Sequence, residues 1–338
     1  MNTTTPLIRE KAPLILAEIQ KAKSILLHCH PSPDPDSVGS ALAMKFAVEQ
    51  LGKKATVIKG DSDIPQAFMH FPGAKDIVMK NFFEVDLSEF DLFLCLDTAA
   101  LGRVSTIGAV EFPSSLKVVD IDHHPTNPGF GTINLIEASY PATAQILFDL
   151  FKEWNIEITS DIAANLFVGI YTDTGGLKFS GVTPQTFQAA GELAAQCPNF
   201  SRIISVMENS NTVSDLHFKG LALTALEPML GGKVGLAVVS LDELLAKNIA
   251  DDSVSAGSIS SVLRTVGEFD VVGALIEAEP GMVRASFRSK DANTFDVSAL
   301  AAAFGGGGHR AAAGTLIALP LAEAKQKVVE KIKELYNL

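Results

Sequence analysis

Basic side chains are in the minority: 27 Lys and Arg against 39 Asp and Glu leave a formal charge of −12 over 338 residues. That balance argues against a uniformly basic nucleic-acid-binding surface, and any contact with a polyanion has to come from a local site with metal help. Cysteine is scarce too. Cys29, Cys95 and Cys197 are the full set, too few for a disulfide framework and nowhere spaced as Cys-x-x-Cys, which argues against a structural zinc site. No stretch reaches ~18 apolar residues free of charge, so no membrane span is expected. Met1 to Lys23 has no unbroken apolar core and carries Arg9, Glu10 and Lys11, unlike a signal peptide. A cytoplasmic protein with reduced thiols is the expectation. There is no internal repeat, and no Gly-x-Ser-x-Gly elbow to supply a protein nucleophile.

What is present reads as globular: 47% hydrophobic and 20% charged residues, a length that at ~150 residues per domain suggests two domains. The first half alternates strand-like and helix-like segments. Ile25 to His28, Ala55 to Lys59, Leu92 to Asp97 and Leu116 to Asp120 are short apolar runs, and Ser37 to Leu51 has helical spacing that stops at Gly52. Such runs between helices predict an α/β fold with a mostly parallel sheet covered on both faces. Ligands of such sheets sit beyond the carboxyl ends of the strands. Ala142 to Trp154, Asp161 to Tyr171 and Pro184 to Gln196 predict helices, the last with proline at its first position. The chain turns polar at Asn209, and Asp215 to Glu227 reads as a further helix. Val234 to Ser240 opens a smaller mixed α/β region, in which Val271 to Glu277 and Met282 to Arg288 pair around Pro280-Gly281, and Val297 to Phe304 is helical. The expected division is a catalytic domain over 1–200, a connection over 201–227 and a second domain over 228–338.

Five of the seven histidines fall in three dense motifs. The first is His28-Cys-His30-Pro-Ser-Pro-Asp34-Pro-Asp36-Ser, between a strand and a helix. Its prolines cannot continue a ladder and hold the loop extended. One imidazole and two carboxylates suit manganese, magnesium or zinc. Taken alone, the same residues make an acidic turn that caps the helix near Ser37. Asp97 ends a second buried run, Asp122-His123-His124 follows a third, and Asp173 ends a helix-like run. Gathered at the ends of elements of one sheet, they predict a shared metal site. The third motif is the glycine run Gly305 to Gly308 followed by His309 and Arg310. Glycines let backbone N–H groups approach an anion, a following helix adds its positive end, and arginine grips phosphate in two places. A flexible turn is the alternative.

Together the motifs resemble the DHH/DHHA1 phosphoesterases, in the oligoribonuclease and 3′-phosphoadenosine-5′-phosphate phosphatase (NrnA-type) branch. The resemblance rests on His30-xxx-Asp34-x-Asp36, Asp97, Asp122-His123-His124, Asp173 and Gly306-Gly-Gly-His309-Arg310-Ala-Ala-Ala-Gly314, and spans roughly residues 20–335. It implies two divalent ions, manganese by the family's habit. His30 and Asp34 would hold one, Asp36, His123 and Asp173 the other, and Asp97 would bridge them. His124 would stand beside the reacting phosphate and Asp122 would orient the imidazoles. Gly306, Gly307, Gly308, His309, Arg310 and Arg288 would grip the substrate from the second domain across a cleft. Arg288 is otherwise a surface arginine, and His28 has no role carried over; it is a core histidine or a partner behind the site. Lys178 and Ser32 stand where relatives commonly carry Arg and Asn.

The four carboxylates Asp34, Asp36, Asp97 and Asp173 balance the charge of two divalent ions. Such ions, held by these carboxylates, would lower the pKa of a bound water toward neutral so that it could attack phosphorus in line. The implied substrates are short single-stranded RNA, cut to mononucleotides, and 3′-phosphoadenosine 5′-phosphate, cut to AMP; a homodimer is compatible with the pattern. A cyclic-di-AMP or pApA dinucleotide phosphodiesterase shares all these motifs. A manganese pyrophosphatase shares some of them but lacks the glycine-histidine clamp in this form. A nucleotide-binding sensor without turnover is the alternative of another class.

Overall fold

The computed structural model describes residues 4–179, 181–209 and 211–338. The chain is α/β and divides into two compact units, Met1–Ser210 and Asn211–Leu338.

The first unit opens with helix α1 (Pro6–Lys21), started by Thr5, whose hydroxyl accepts from the Ile8 amide. Strand β1 (Ser24–His28) leads into α2 (Pro35–Gln50) and β2 (Lys54–Ile58). Then come β3 (Leu92–Leu96), β4 (Lys117–Asp122) and β5 (Ile133–Ile136), followed by helices α3 (Thr143–Glu153), α4 (Ser160–Asp173), α5 (Pro184–Gln196) and α6 (Phe200–Glu208). The sheet order is β2-β1-β3-β4-β5 and every pairing is parallel. The order reverses between β1 and β3, which opens a crevice at their carboxyl ends.

Side chains alternate across the sheet. Ile25 and Leu27 of β1 and Leu92, Leu94 and Leu96 of β3 face the helices, in a core shared with Ile15, Leu42, Leu147 and Leu166. Leu26, Phe93 and Cys95 face the other way, onto Phe82, Val104, Val110 and Leu116. Both faces are therefore buried, but the second is covered by short turns and phenylalanines rather than by helices. Helix α2 packs directly on α4, and glycines make the contact close: a Cβ on Gly39 would lie 2.4 Å from the Asn165 carbonyl oxygen, and one on Gly169 would lie 2.5 Å from Asp36 Oδ1.

The second unit contains α7 (Val213–Thr224), β6 (Leu226–Met229), β7 (Val234–Val239), α8 (Leu241–Ala246) and α9 (Ala256–Leu263). It continues with β8 (Val271–Glu279), β9 (Met282–Ser289), α10 (Val297–Ala302), β10 (Gly307–His309), β11 (Ala312–Ile317) and α11 (Leu321–Tyr336). The sheet order is β10-β11-β9-β8-β7-β6; β7 and β8 run parallel and the other pairs antiparallel. The β8–β9 hairpin turns at Pro280-Gly281, Gly281 having a φ of 75°.

Three expectations need correction. Strand β4 runs to Asp122 rather than stopping at Asp120, because Asp120 and Asp122 keep the ladder to Asn134 and Ile136 of β5. The helix expected over 215–227 ends at Thr224, since Leu226 onward pairs with β7. No helix follows the glycine run: Gly307 to His309 is a strand paired with Ala312 to Gly314. The small residues of Ala312–Ile317 fit an extended edge beside β9, and that pairing overrides the helix propensity of three alanines.

Candidate metal centre

The ends of β1, β3 and β4, the start of α2 and the end of α4 carry the polar residues. His30 lies two residues past β1 and is fully buried. Its Nδ1 is 3.3 Å from Asp34 Oδ2 and its Nε2 3.3 Å from Asp97 Oδ2. Asp34 is the N-cap of α2, its Oδ1 accepting from the Ser37 amide at 2.9 Å. One oxygen of Asp34 therefore caps the helix while the other faces His30.

Asp36, in the first turn of α2, reaches the start of α3. Oδ2 accepts from the Thr143 amide at 2.8 Å and Oδ1 from the Ala144 amide at 3.0 Å. Ala142, the N-cap of α3, has no side-chain hydrogen bond to offer. Asp36 thus supplies the missing cap from another helix, and its charge suits the positive end of α3.

Asp97 follows β3 with a φ of 57°, a left-handed conformation uncommon outside glycine. It turns the carboxylate into the crevice, where Thr143 Oγ1 donates to Oδ1 at 3.1 Å. His123 Nε2 lies 3.5 Å from Asp97 Oδ1 and 3.2 Å from Asp173 Oδ2. The two oxygens of Asp97 therefore face two different histidines, His30 and His123. Asp122 Oδ1 accepts from the His123 amide at 2.8 Å and from His124 Nδ1 at 2.7 Å.

Three overlapping sets have their ligand atoms within 4.8 Å of one another: His30, Asp34 and Asp97; Asp36, His123 and Asp173; and Asp97, Asp122, His123 and His124. The electrostatics fit cations. Burial, then the neighbouring charges of Asp36 and Asp34, holds the Asp97 carboxyl well above the ordinary carboxylate range. Burial, then Asp36 and Asp97, does the same to Asp173. Burial also raises Asp36. Burial would raise Asp34 as well, but hydrogen bonding to His30 dominates with its charge and brings the group down to about 2. Burial opposes a charge on His30, yet the carboxylates of Asp97 and Asp34 lift it above its ordinary value. So many buried carboxylates repel one another unless positive charge is shared among them. Carboxylate oxygens with imidazole nitrogens are the donor set of hard and borderline divalent ions, and these residues fit such a group.

Asn127 escaped the sequence reading. Its Nδ2 lies 2.9 Å from the Thr98 carbonyl, 2.9 Å from Asp122 Oδ2 and 3.0 Å from Asp120 Oδ2. It ties the strand end bearing Asp122 to the turn bearing Asp97. The one signal was its place five residues past Asp122, as a polar residue before a proline. Arg103 was also missed; its Nη2 lies 3.0 Å from His30 Nδ1. His28 stands behind the site, its Nδ1 3.1 Å from the Cys29 carbonyl and its Nε2 3.3 Å from Cys95 Sγ. Burial, then the charge of His30, depresses it to about 3. It packs as a neutral core histidine at 5.2 Å from the Phe93 ring.

In the second unit, Arg288 is on β9, where Nη1 donates to Ser286 Oγ at 3.2 Å and to the Phe287 carbonyl at 3.0 Å. Burial, then Arg264, lowers its pKa. Arg310, in the β10–β11 turn, pairs through Nε with Asp296 Oδ2 at 2.9 Å. Gly306, Gly307, Gly308 and His309 lie along the edge beside it, and Gly307 and His309 are exposed. A Cβ on Gly306 would lie 2.2 Å from the Gly314 carbonyl oxygen, and one on Gly308 2.6 Å from that of Ala312. These two glycines are demanded by the close strand pairing itself. Gly307 has open space around its Cβ position.

Residues 24–170 match the model of the DHH family, N-terminal domain. A Thermus thermophilus protein named bifunctional oligoribonuclease and PAP phosphatase NrnA is 32% identical, the alignment covering 98% of this chain and 97% of that one. Among solved structures, an exopolyphosphatase-related protein from Bacteroides fragilis shares the fold with a TM-score of 0.86 at 23% identity, over 97% of this chain and 96% of the other. RecJ from Thermus thermophilus, solved in complex with Mn2+, matches with a TM-score of 0.53 at 15% identity, over 99% of this chain and 56% of that one.

Proposed function

The chain belongs to the DHH family and is a phosphoester hydrolase, and from that premise we propose that it cuts short oligoribonucleotides to mononucleotides and 3′-phosphoadenosine 5′-phosphate to AMP. The observation that carries the reading is the convergence of His30, Asp34, Asp36, Asp97, His123 and Asp173 within one crevice of the sheet. His30 and Asp34 would hold one divalent ion, Asp36, His123 and Asp173 the second, with Asp97 between them. That Asp97 offers one oxygen toward His30 and the other toward His123 supports the bridging assignment. Bound there, divalent ions would acidify a water and draw charge off the phosphoryl oxygens.

The chain's own residues do the rest. Asp122 fixes the His124 ring through Nδ1, so in its imidazolium form the Nε2–H would be the donor that hands a proton to a departing oxygen. Asn127 holds the second oxygen of Asp122, so the pair cannot swing. Thr143 steadies Asp97. Arg288, Arg310, His309 and Gly307 would bind the remaining phosphate and sugar of a nucleotide. Short substrates suit a protein of charge −12, which repels long polyanions.

The test is a ladder of 5′-labelled RNAs, from two to twenty-four nucleotides, incubated with protein and manganese. 3′-Phosphoadenosine 5′-phosphate, pApA and cyclic di-AMP are run beside it. Fastest cleavage of the shortest RNAs, with release of phosphate from the adenosine bisphosphate, is expected. Cleavage confined to pApA or cyclic di-AMP would make the enzyme a dinucleotide phosphodiesterase, and binding without turnover of any substrate would make it a sensor. Repeating the assay with magnesium identifies the ion that supports turnover.

A further inference from the structure

We propose that Arg103 binds the scissile phosphate beside the metal centre and stabilises the charge that builds on it. The proposal rests on the phosphoesterase reading above and adds to it a residue from outside the motifs.

Arg103 closes the short turn Leu101–Arg103, six residues beyond Asp97. The turn is held firmly. The Arg103 amide donates to the Ala100 carbonyl at 2.8 Å, and Val104 is buried in the core under the sheet. Ser105 Oγ and the Thr106 amide both donate to Asp61, at 2.7 and 2.6 Å. The backbone is thus fixed while the side chain is exposed. Among the described residues Arg103 forms no ion pair with a carboxylate, although it stands at the edge of the acidic cluster and hydrogen-bonds His30 at 3.0 Å.

His30 Nδ1 faces both Arg103 Nη2, at 3.0 Å, and Asp34 Oδ2, at 3.3 Å. Arginine offers only donors, and a divalent ion held by His30 and Asp34 would take the imidazole lone pair. The guanidinium would then keep no acceptor on His30 and would stand as a fork of N–H donors on a fixed turn at the edge of the cluster. A phosphodiester oxygen offers what it lost. Phosphoryl transfer spreads negative charge over the non-bridging oxygens, and a preset guanidinium stabilises that charge.

The contrast with Arg288 and Arg310 is testable. Those residues would grip the non-reacting part of a nucleotide, whereas Arg103 would act on any phosphodiester. Arg103→Ala and Arg103→Lys are compared with the parent for manganese bound per chain, for the Kd of inorganic phosphate to the manganese-loaded protein by calorimetry, and for kcat/KM on bis-p-nitrophenyl phosphate and on a diribonucleotide. The alanine variant should keep the parent's manganese content. It should bind phosphate roughly 10- to 100-fold more weakly, the span expected for a lost hydrogen bond to a charged group. It should lose activity on both substrates, with partial recovery in the lysine variant. If instead manganese affinity falls while the loaded protein binds phosphate as the parent does, Arg103 serves only to prop His30 and the proposal is overturned. A parent protein that cleaves neither substrate would defeat the phosphoesterase reading; the phosphate Kd of the loaded variant would still decide the role of Arg103.

Discussion

His124 Nδ1 lies 2.7 Å from Asp122 Oδ1, and the same carboxylate receives Asn127 Nδ2 on its other oxygen at 2.9 Å. Burial acts to raise the Asp122 carboxyl, but the hydrogen bond and charge of His124 outweigh it and keep the group ionised below its usual value. An ionised acceptor keeps a proton on Nδ1, so in the imidazolium form the Nε2–H is the donor a general acid needs. His124→Ala should therefore depress turnover by about 10²–10⁴-fold, the usual range for a general acid, while leaving the metals bound. Metal analysis beside the rate measurement decides it. Loss of one metal equivalent would make His124 a ligand instead.

Asp97 makes a different demand, because its two oxygens face two histidines at 3.3 and 3.5 Å. Asp97→Asn keeps the shape and removes the charge. Turnover should fall far more than tenfold, which is only ~1.4 kcal/mol of barrier. Titration with manganese should show weakened binding of both equivalents. A variant within tenfold of the parent would refute the bridging assignment.

Arg310 gives a substrate-dependent prediction. It is paired with Asp296 and exposed, and its remaining donors are those of an arginine at a turn. Arg310→Ala should cost nucleotide substrates roughly 2–3 kcal/mol in transition-state stabilisation, the upper range for a hydrogen bond to a charged group. A minimal substrate such as bis-p-nitrophenyl phosphate should be spared. Equal losses on both, measured as kcat/KM at fixed manganese and salt, would remove Arg310 from substrate binding.

His28 predicts a pH effect on stability. Its folded pKa is depressed to about 3, below the ordinary value of 6.5, through burial and then the charge of His30. The unfolded chain binds the extra proton first as pH falls. The stabilising contribution of a neutral His28 is present above pH ~6.5 and is lost progressively toward pH ~3. His28→Asn cannot titrate in this range. The difference in Tm between parent and variant should therefore narrow as pH falls from 7 to 4, measured in chelator by calorimetry. A constant difference would show that His28 is not buried neutral.

The cluster was legible because several of its members sit where a local pattern ends: His30 after a strand, Asp97 after a strand, Asp173 at the close of a helical run. The parallel sheet followed from apolar runs bounded by polar residues. What stayed hidden was set by distant partners. The bond from Thr143 to Asp36 spans 107 residues and that from Arg103 to His30 spans 73, and no window of sequence contains both ends. The glycine run misled for a related reason. Alanines 311 to 313 have helical propensity, but β9 offers them a ladder from Ala312 to Ile317, and that offer is invisible without the tertiary fold.

Asp36 holds two positions at once, in the cluster proposed to bind metal and at the first amides of α3, which it anchors. Loss-of-function at this position therefore conflates how much protein exists with how well each molecule works. In a cell, an Asp36→Ala allele should lower both abundance and specific activity, since an uncapped helix costs about 0.5–2 kcal/mol. Asp173→Ala, at the open end of α4 and 34% exposed, should spare abundance and lower specific activity alone. Quantitative immunoblotting beside an activity assay separates the two, and equal abundance of both alleles would deny Asp36 its architectural office. On this assignment, variants at position 173 should report on catalysis, and those at position 36 on a mixture.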